Sequence, residues 1–335
     1  MSKLVIPEGY KQILSLYDTQ TAIGYIKRTF EDILSGKLNL KRVSAPLFVD
    51  PQTGLNDNLS GVERPVEFEI KETRTNAQIV HSLAKWKRMA LYRYSFPVGE
   101  GLYTDMNAVR RDEEMDNIHS IYVDQWDWEK VIDRNDRNEL YLKNTVTDIV
   151  NAICDTADKI KERYPALHID ISRDIGFVTT QQLENMYPAL SPKERENAYV
   201  KEHRTAFIMQ IGDRLQSGNR HDWRAPDYDD WALNGDIMFW NDTLGHALEI
   251  SSMGIRVDEK SLDEQLTKAG CDERRNLLFH TLLLAGKLPM AIGGGIGQSR
   301  LCMLLLKKAH IGEVQVSLWD EETMRGCSEG GVVLL

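Results

Sequence analysis

Three apolar segments that have the character of strands follow one another in the second half of the chain, and this succession most constrains the fold. They cover residues 207–211, 235–240 and 247–250. No segment with helical spacing separates them, so regular helical crossovers between parallel strands are not expected. The sequence therefore predicts an α+β fold, with an antiparallel sheet flanked by helices rather than a doubly wound parallel sheet.

Helices predicted on both sides of these strands supply the flanking layer. Residues 142–164 place apolar side chains on one face at helical spacing, and residues 19–34 do the same. The second of these helices is followed by a strand-like segment at 38–43 that stops before Pro46. A more charged helix is expected at 191–203.

Two further strands are expected at 92–96 and 118–123, with the polar residues 107–117 as a long hairpin loop between them. The chain shows no internal repeat, low-complexity tract or Pro/Ser-rich linker. We therefore expect one catalytic domain over residues 1–335.

Composition limits the partners and the compartment. A net charge of -10 argues against a broad contact with the phosphates of nucleic acid. The sequence contains no run of about eighteen apolar residues, so no membrane-spanning helix is expected. The four cysteines are widely spaced and form no Cys-x-x-Cys pair, which is typical of reduced thiols and favours the cytoplasm.

The glycine-rich segment 292–300 is the most informative candidate for a ligand site. Without Cβ atoms, its backbone can pass close to a flat or charged ligand, and Ser299 is a candidate N-cap for a helix over 301–308 with Arg300 at its start. A tight turn without a ligand is the alternative. No Lys-Ser/Thr pair follows the last glycine, and Gln298 replaces the third glycine of a dinucleotide fingerprint, so neither nucleotide motif is matched.

Charged residues in two other segments have both a functional and a plain interpretation. In the helix expected from His81, Lys85 is predicted to be exposed to solvent, whereas Lys87 lies among apolar neighbours. Arg110 and Glu113 belong to a charged run in the hairpin loop. Such a run is either a solvated turn or part of a site.

The segment 122–129 alternates between polar and aromatic residues. Its Gln125, Asp127 and Glu129 share one face of a strand, and two tryptophans share the other. The polar face either meets water or lines an interior cavity. Tryptophans on the opposite face indicate that the strand is packed.

Carboxylates at the ends of the later strands suggest a site for a hard cation. Asp236 and Glu249 could hold Mg²⁺ together, since this ion prefers one or two carboxylates plus phosphate oxygens. Arg256 stands seven residues after Glu249 in an apolar setting, where a guanidinium needs an anion.

Taken in order, these segments resemble the ammonia-dependent asparagine synthetases, aspartate-ammonia ligases built on the catalytic domain of class II aminoacyl-tRNA synthetases. The resemblance covers nearly the whole length, although no anticodon-binding domain is evident. The helix at 19–34 and its strand resemble the first class II motif, which forms the dimer interface in that family, so a homodimer is implied. The segments that carry the resemblance are 57–61, 81–88, 99–104, 122–129, 224–231, 251–256 and 293–301.

The resemblance implies roles at the amino-acid end of the site. Lys87 and Arg256 match carboxylate-binding residues, Asp127 would hold the α-ammonium group and Gln125 would orient the substrate. Asp57 matches an aspartate that receives ammonia. The implied substrate-binding set is Lys87, Gln125, Asp127, Ser252 and Arg256, and the implied catalytic set is Asp57, Arg110 and Arg300.

The resemblance also implies an ATP site with Mg²⁺. Arg110 and Glu113 fall where the second motif grips the α-phosphate and adenine, and Arg300 falls where the arginine of the third motif lies against adenine and the distal phosphates. The implied ATP-binding set is Arg110, Glu113, Asp229, Asp236, Glu249, Gly295 and Arg300, with Asp236 and Glu249 also holding the metal.

The implied activity is the ATP-dependent conversion of L-aspartate and ammonia to L-asparagine, AMP and pyrophosphate through β-aspartyl-AMP. One alternative is a synthetase paralogue that activates an amino acid for transfer to another acceptor. A second is a regulatory protein that keeps the fold without catalysis. The combined presence of Arg110, Glu249, Arg256 and Arg300 weighs against a scaffold without chemistry.

Overall fold

The computed structural model describes residues 4–59 and 61–335, so Ser60 of the segment 57–61 lies outside the described residues. The strands are β1 (Leu40–Arg42), β2 (Phe48–Val49), β3 (Glu67–Ile70), β4 (Thr75–Ile79), β5 (Gly101–Val109), β6 (Tyr122–Val131), β7 (Gly176–Thr179), β8 (Thr205–Met209), β9 (Asp229–Asn241), β10 (His246–Arg256) and β11 (Ala291–Gly297). The α-helices are α1 (Leu16–Leu38), α2 (Ala84–Arg93), α3 (Glu139–Arg163), α4 (Thr180–Met186), α5 (Pro192–His203), α6 (Glu259–Ala269), α7 (Leu278–Leu284), α8 (Gln298–Leu305) and α9 (Glu321–Glu329).

An eight-stranded sheet in the order β1-β5-β6-β11-β10-β9-β8-β7 forms the centre of the fold. Its six inner strands pair antiparallel, while the outermost pairs, β1 with β5 and β7 with β8, are parallel. The predicted α+β fold is confirmed, with parallel pairing at the two edges as an addition. A smaller sheet in the order β2-β4-β3 stands apart from it.

Two long helices build the main core against one face of the large sheet. Helix α3 buries Val146, Ile149, Ile153 and Ile160 at helical spacing, as predicted for residues 142–164. Helix α1 packs beside it and contributes its own buried stripe to the same core. The opposite face of the sheet is thereby left to the functional site.

Helix α1 is longer than predicted at both ends. The Ser15 side chain accepts a hydrogen bond from the Asp18 backbone N–H and starts the helix, and Asn39 ends it with a left-handed φ of 58°. The helix therefore continues through Gly36, where the prediction ended it. Helix α5 begins as predicted, because Ser191 and Glu194 form a capping box.

Two short predictions are wrong in position. Residues 92–96 are not a strand, because Tyr92 and Arg93 complete helix α2 and a turn with Ser95 at a φ of 55° follows. The aromatic run has strand propensity, but it continues an amphipathic helix, and short runs do not distinguish the two. The strand expected at 118–123 begins later, at Tyr122, so the hairpin loop covers 110–121.

Lys85 is also not where the sequence predicted it. Its side chain is only 2% exposed, and its ammonium group lies 3.1 Å from Asp227 Oδ2. His280 Nε2 and Arg274 Nη1 contact the same oxygen at 2.9 and 3.1 Å. The buried cluster joins helix α2 to the segment that precedes strand β9, a long-range pairing that the local pattern of α2 does not reveal.

Candidate active site

A cavity of about 580 Å³ opens over the inner strands of the large sheet. Strands β6, β9, β10 and β11 supply its floor, and the β5–β6 hairpin loop supplies part of its wall. Every site residue expected from the sequence lines it, namely Asp57, Lys87, Arg110, Glu113, Gln125, Asp127, Asp229, Asp236, Glu249, Ser252, Arg256, Gly295 and Arg300.

Strand β6 separates the core from the cavity. Trp126 and Trp128 are fully buried in the core, and the ring of Trp126 lies 4.7 Å from that of Phe30. Gln125 and Asp127 line the cavity on the other face. The alternation in the sequence therefore marks an interior wall and not a solvated edge.

The glycine-rich segment is mainly strand β11 and not a turn. A Cβ at Gly293 would overlap the Glu129 carboxylate and would stand 2.6 Å from Arg256 Nη2. A Cβ at Gly295 would stand 2.8 Å from Asp127 Oδ1. The glycines make room for side chains of the neighbouring strands, and these side chains fill the space that Cβ atoms would take.

The N-terminus of helix α8 differs from the prediction. Gly297 is the N-cap, and Ser299 lies inside the first turn, where its backbone N–H donates to Asp124 Oδ1 at 3.0 Å. The Ser299 hydroxyl instead accepts from Gln315 Nε2 at 3.1 Å. A carboxylate on strand β6 thus does the capping that the sequence assigned to Ser299, and the helix ends at Leu305, before Lys308.

Arg256 is an enclosed cation of the cavity, with 2% of its side chain exposed. Its Nε and Nη2 atoms donate to Glu129 at 2.9 and 2.6 Å, and Nη1 contacts Asp229. Burial alone would lower the pKa of Arg256, but the two carboxylates raise it above its usual value. Asp229 therefore faces an arginine of the amino-acid end, although the sequence assigned it to ATP.

Lys87 lies beside this network. Its Nζ donates to the Gly294 carbonyl oxygen at 2.7 Å and stands 3.1 Å from Asp127 Oδ1. Complete burial lowers the pKa of Lys87, and the nearby Asp127 opposes that shift. The two cations, Lys87 and Arg256, and the carboxylate of Asp127 lie close enough together to bind the opposite charges of a small zwitterion.

Asp57 is 3% exposed and is oriented by two donors. The Ser82 hydroxyl donates to Oδ2 at 2.9 Å, and the Leu59 backbone N–H donates to Oδ1 at 2.9 Å. Within the described residues, each carboxylate oxygen accepts one hydrogen bond, from Ser82 or from Leu59, and a carboxylate oxygen has room for a second one. Ser82 lines the cavity but received no role from the sequence, because nothing local links it to Asp57.

The arginines at the other end of the cavity are held loosely. Arg110 is 25% exposed, and its Nη1 lies 3.7 Å from Glu113 Oε2. Arg300 is 20% exposed, and its Nη1 donates to the Glu249 carbonyl oxygen at 3.1 Å while standing 3.6 Å from the carboxylate. Counting contacts to residues 4–59 and 61–335, both guanidinium groups retain donors for an anionic ligand.

The carboxyl groups of Asp236 and Glu249 influence each other's pKa. Burial raises the pKa of Asp236 to about 7, an effect that Arg224 opposes and Glu249 reinforces. The pKa of Glu249 is lowered, because Arg300 and other cations outweigh burial. Within residues 4–59 and 61–335 no group of three or more His, Cys, Asp or Glu side chains is suited to a metal ion. A metal here would thus take two carboxylates and complete its shell with water or phosphate oxygens.

Two further charged residues of the site were quoted in sequence motifs without a role. Glu129 is completely buried and holds Arg256. Arg224 contacts both Asp236 and Ser252. Their partners lie on other strands, so only the tertiary structure shows what they do.

Solved structures define the general class. The fold is similar to the asparaginyl-tRNA synthetase of Entamoeba histolytica, with a TM-score of 0.62 and 14% identity over 90% of this chain and 66% of that chain. The asparaginyl-tRNA synthetase of Pyrococcus horikoshii gives a TM-score of 0.63 at 14% identity, over 89% of this chain and 68% of that one. The chain therefore has the catalytic-domain fold of class II aminoacyl-tRNA synthetases.

Sequence relatives define the family. The family described as aspartate-ammonia ligase matches residues 17–331. The aspartate--ammonia ligase of Clostridium tetani is 60% identical over 99% of this chain and 98% of its own length, and that of Lactobacillus johnsonii is 56% identical over 99% of both. The chain belongs to the aspartate-ammonia ligase family.

Proposed function

We propose that the chain joins ammonia to the side-chain carboxylate of L-aspartate at the expense of ATP, which yields L-asparagine, AMP and pyrophosphate. The observation that carries this proposal is that one cavity unites an enclosed zwitterion site, loosely held arginines and the carboxylate of Asp57. The full-length similarity to aspartate-ammonia ligases supports the same reaction.

The amino-acid end retains the donors that an aspartate molecule needs. Among the described residues, Arg256 uses three of its five N–H groups on Glu129 and Asp229, which leaves two for a carboxylate. Lys87 contacts Gly294 and Asp127 with two of its three N–H groups, and within the part of the chain that the structure describes the third is left for the substrate. We assign the substrate carboxylates to these two cations, the α-ammonium group to Asp127 and the orienting amide to Gln125.

The exposed arginines would neutralise the phosphates of ATP. With Arg110 at the α-phosphate and Arg300 at the distal phosphates, the aspartate carboxylate oxygen can attack the α-phosphorus in line, and pyrophosphate leaves. We place adenine against Glu113 and Gly295. Asp229 supports ATP binding only indirectly in this assignment, through Arg256.

The donor set at Asp236 and Glu249 fits Mg²⁺, because two hard carboxylate oxygens face the cavity where phosphates would lie. The raised pKa of Asp236 fits as well, since a nearby cation would relieve the repulsion from Glu249. A bound Mg²⁺ would supply further neutralisation of the phosphate charge.

Ammonia would then attack the carbonyl carbon of β-aspartyl-AMP, and AMP would leave. Ammonium predominates at neutral pH, so a base must take up its proton. Asp57 is placed to attract ammonium and to accept that proton, while Ser82 and Leu59 hold its carboxylate in one orientation. Ser252 would contact the amino acid from strand β10.

Replacement of Asp57 tests this division of labour. Asp57→Asn should leave aspartate-dependent exchange of pyrophosphate into ATP within about threefold of wild type, while asparagine formation falls at least ~1,000-fold. Asp50→Asn, in the same loop but outside the cavity, is the matched control and should change neither. Loss of both activities in Asp57→Asn would contradict the role.

A synthetase paralogue that transfers an activated amino acid is the second candidate, because the structural neighbours are tRNA synthetases. AMP release that requires aspartate and ammonium but no added tRNA or protein would favour the ligase. Release that requires such an acceptor would favour the paralogue. The absence of a nucleic-acid partner, the cytoplasmic location and a single domain stay predictions.

We also propose a homodimer built on helix α1 and strand β1. The N-terminal end of α1 leaves Leu16 and Tyr17 exposed to 47% and 82%. Apolar side chains so exposed are suited to a second copy. Light scattering after size exclusion should give twice the mass of 38.4 kDa, and a monomer at micromolar concentration would refute the assembly.

Among the described residues, no helix is long and apolar enough to span a membrane.

A further inference from the structure

An arginine that is largely but not fully buried lies on the cavity wall and has no role in the proposed mechanism. Arg224 Nη2 donates to Asp236 Oδ1 at 2.5 Å, and Nη1 contacts Ser252 Oγ. Only 11% of its side chain is exposed. A guanidinium this deep needs an anion to offset the loss of water, and Asp236 supplies it.

Hydrogen bonds on both sides of Arg224 hold the segment that carries it. Gln265 Nε2 donates to the Pro226 carbonyl oxygen, and Trp223 Nε1 donates to the Leu59 carbonyl oxygen, each at 2.9 Å. Arg224 Nε is buried and has no acceptor among the described residues. The segment that carries Arg224 is thus held in place, while Nε keeps a donor that an additional acceptor, such as an anionic oxygen, would satisfy.

The two carboxylates assigned to Mg²⁺ each have an arginine, but the contacts differ. Arg224 touches the Asp236 carboxylate, whereas Arg300 stays 3.6 Å from that of Glu249. Two cations that share one carboxylate repel each other at contact distance. Arg224 therefore competes with a metal ion for Asp236 more strongly than Arg300 competes for Glu249.

We propose that Arg224 is a resident counter-cation, which occupies Asp236 until a metal ion arrives together with ATP. The inference rests on the proposed function, because it takes Asp236 and Glu249 as metal ligands. Arg224 opposes a free metal ion, since its guanidinium would lose its anion without replacement. It admits a metal ion that comes with ATP, because phosphate oxygens then accept from the displaced guanidinium.

Binding of Mn²⁺ to the nucleotide-free protein tests the proposal, with the free ion counted by electron paramagnetic resonance. Arg224→Gln and Arg224→Met both remove the charge, and each should lower the Kd for Mn²⁺ at least tenfold. Arg224→Lys keeps the charge and should stay within threefold of wild type. Arg224→Gln combined with Asp236→Asn should lose the gain.

Arg204→Gln is the matched control, because Arg204 pairs with Asp242 at 2.6 Å away from the cavity. A folded Arg224→Gln or Arg224→Met protein with unchanged Mn²⁺ affinity would overturn the proposal, as would an equal gain in Arg204→Gln. Melting temperatures verify that each variant is folded. If only one of Arg224→Gln and Arg224→Met folds, that variant alone is sufficient for the test.

The metal assignment is tested separately in the wild-type background. Asp236→Asn and Glu249→Gln should weaken binding of the Mn²⁺–ATP complex at least tenfold. If they do not, the proposed metal site fails and the inference falls with it. If they do while the Arg224 variants leave Mn²⁺ affinity unchanged, only the role of Arg224 fails.

Discussion

The two ends of the cavity are built differently. At the amino-acid end, Arg256 is 2% exposed and bonds Glu129 at 2.6 Å. At the nucleotide end, Arg110 is 25% exposed and stays 3.7 Å from Glu113. The first end is preorganised for a small substrate, whereas the second must tighten around its ligand.

The difference follows from the elements that carry the residues. Paired strands β6, β10 and β11 supply most of the amino-acid end, with Lys87 added from helix α2, and buried charges there need fixed partners. The nucleotide end draws Arg110 and Glu113 from the loop 110–121, whose backbone can adjust. Specificity for the amino acid is thereby separated from adaptation to the nucleotide.

The largest effect is expected where strand β11 leaves no room. In Gly293→Ala, the new Cβ would overlap the Glu129 carboxylate and crowd Arg256. Unfolding in urea should show a loss of more than about 3 kcal/mol, and any folded protein should lose aspartate-dependent pyrophosphate exchange at least ~100-fold. Gly36→Ala, in open space on helix α1, should instead gain about 0.5–1 kcal/mol. Near-normal exchange in Gly293→Ala would show that the amino-acid end is less rigid than described.

A matched pair of substitutions compares the two ends directly. Glu129→Gln leaves Arg256 with one anion in a buried setting, so the free energy of unfolding should fall by about 3 kcal/mol. Glu113→Gln removes a partly exposed partner of Arg110, so the loss should stay below about 1 kcal/mol. Urea unfolding at pH 7 measures both values. Equal losses would remove the distinction.

Low pH should destabilise the contacts that hold the loop 110–121 at the nucleotide end. Asn117 fixes the loop 110–121 by donating to the Ala309 carbonyl oxygen at 2.7 Å, and His310 lies next in the chain. Burial lowers the pKa of His310 from 6.5 to about 4, against a smaller opposite effect of Asp116. As the pH falls, His310 is therefore protonated in the unfolded chain before it is protonated in the folded protein. The stability from neutral His310 is present above pH 6.5 and is lost as the pH falls toward 4.

The variant His310→Asn isolates this effect. An Asn side chain can still accept from the Gly312 N–H, as His310 Nδ1 does at 3.0 Å, but it does not titrate. Wild type should lose about 2 kcal/mol more than the variant between pH 7 and pH 5 in urea unfolding. Parallel losses in the two proteins would show that another group controls acid sensitivity.

The sequence predicted those features that a local pattern encodes. The helical stripe of α3 and the alternation of Gln125, Trp126 and Asp127 both depend on periodicity, and the structure has both. The family resemblance named a set of site residues, and all of them line one cavity in the structure. Their individual roles stay predictions, because geometry alone does not show which ligand each one binds.

What the sequence did not reveal depends on contacts between distant segments. Lys85 was expected in solvent because its buried partner Asp227 lies 142 residues away. Ser299 was expected to cap helix α8, but Asp124 of strand β6 does so. Arg224 had no assigned role, because its partner Asp236 lies beyond a loop and on a strand of the sheet.

Strand β11 also bears on how this site could change. Gly293 and Gly295 already lack side chains, so nothing at these two positions can be trimmed to admit a bulkier substrate. Enlargement would have to come from Gln125 or Asp127 on one neighbour or Ser252 on the other, and each such change alters polarity along with size. The design of a variant with a broader substrate range is therefore restricted to positions where volume and charge cannot be varied independently.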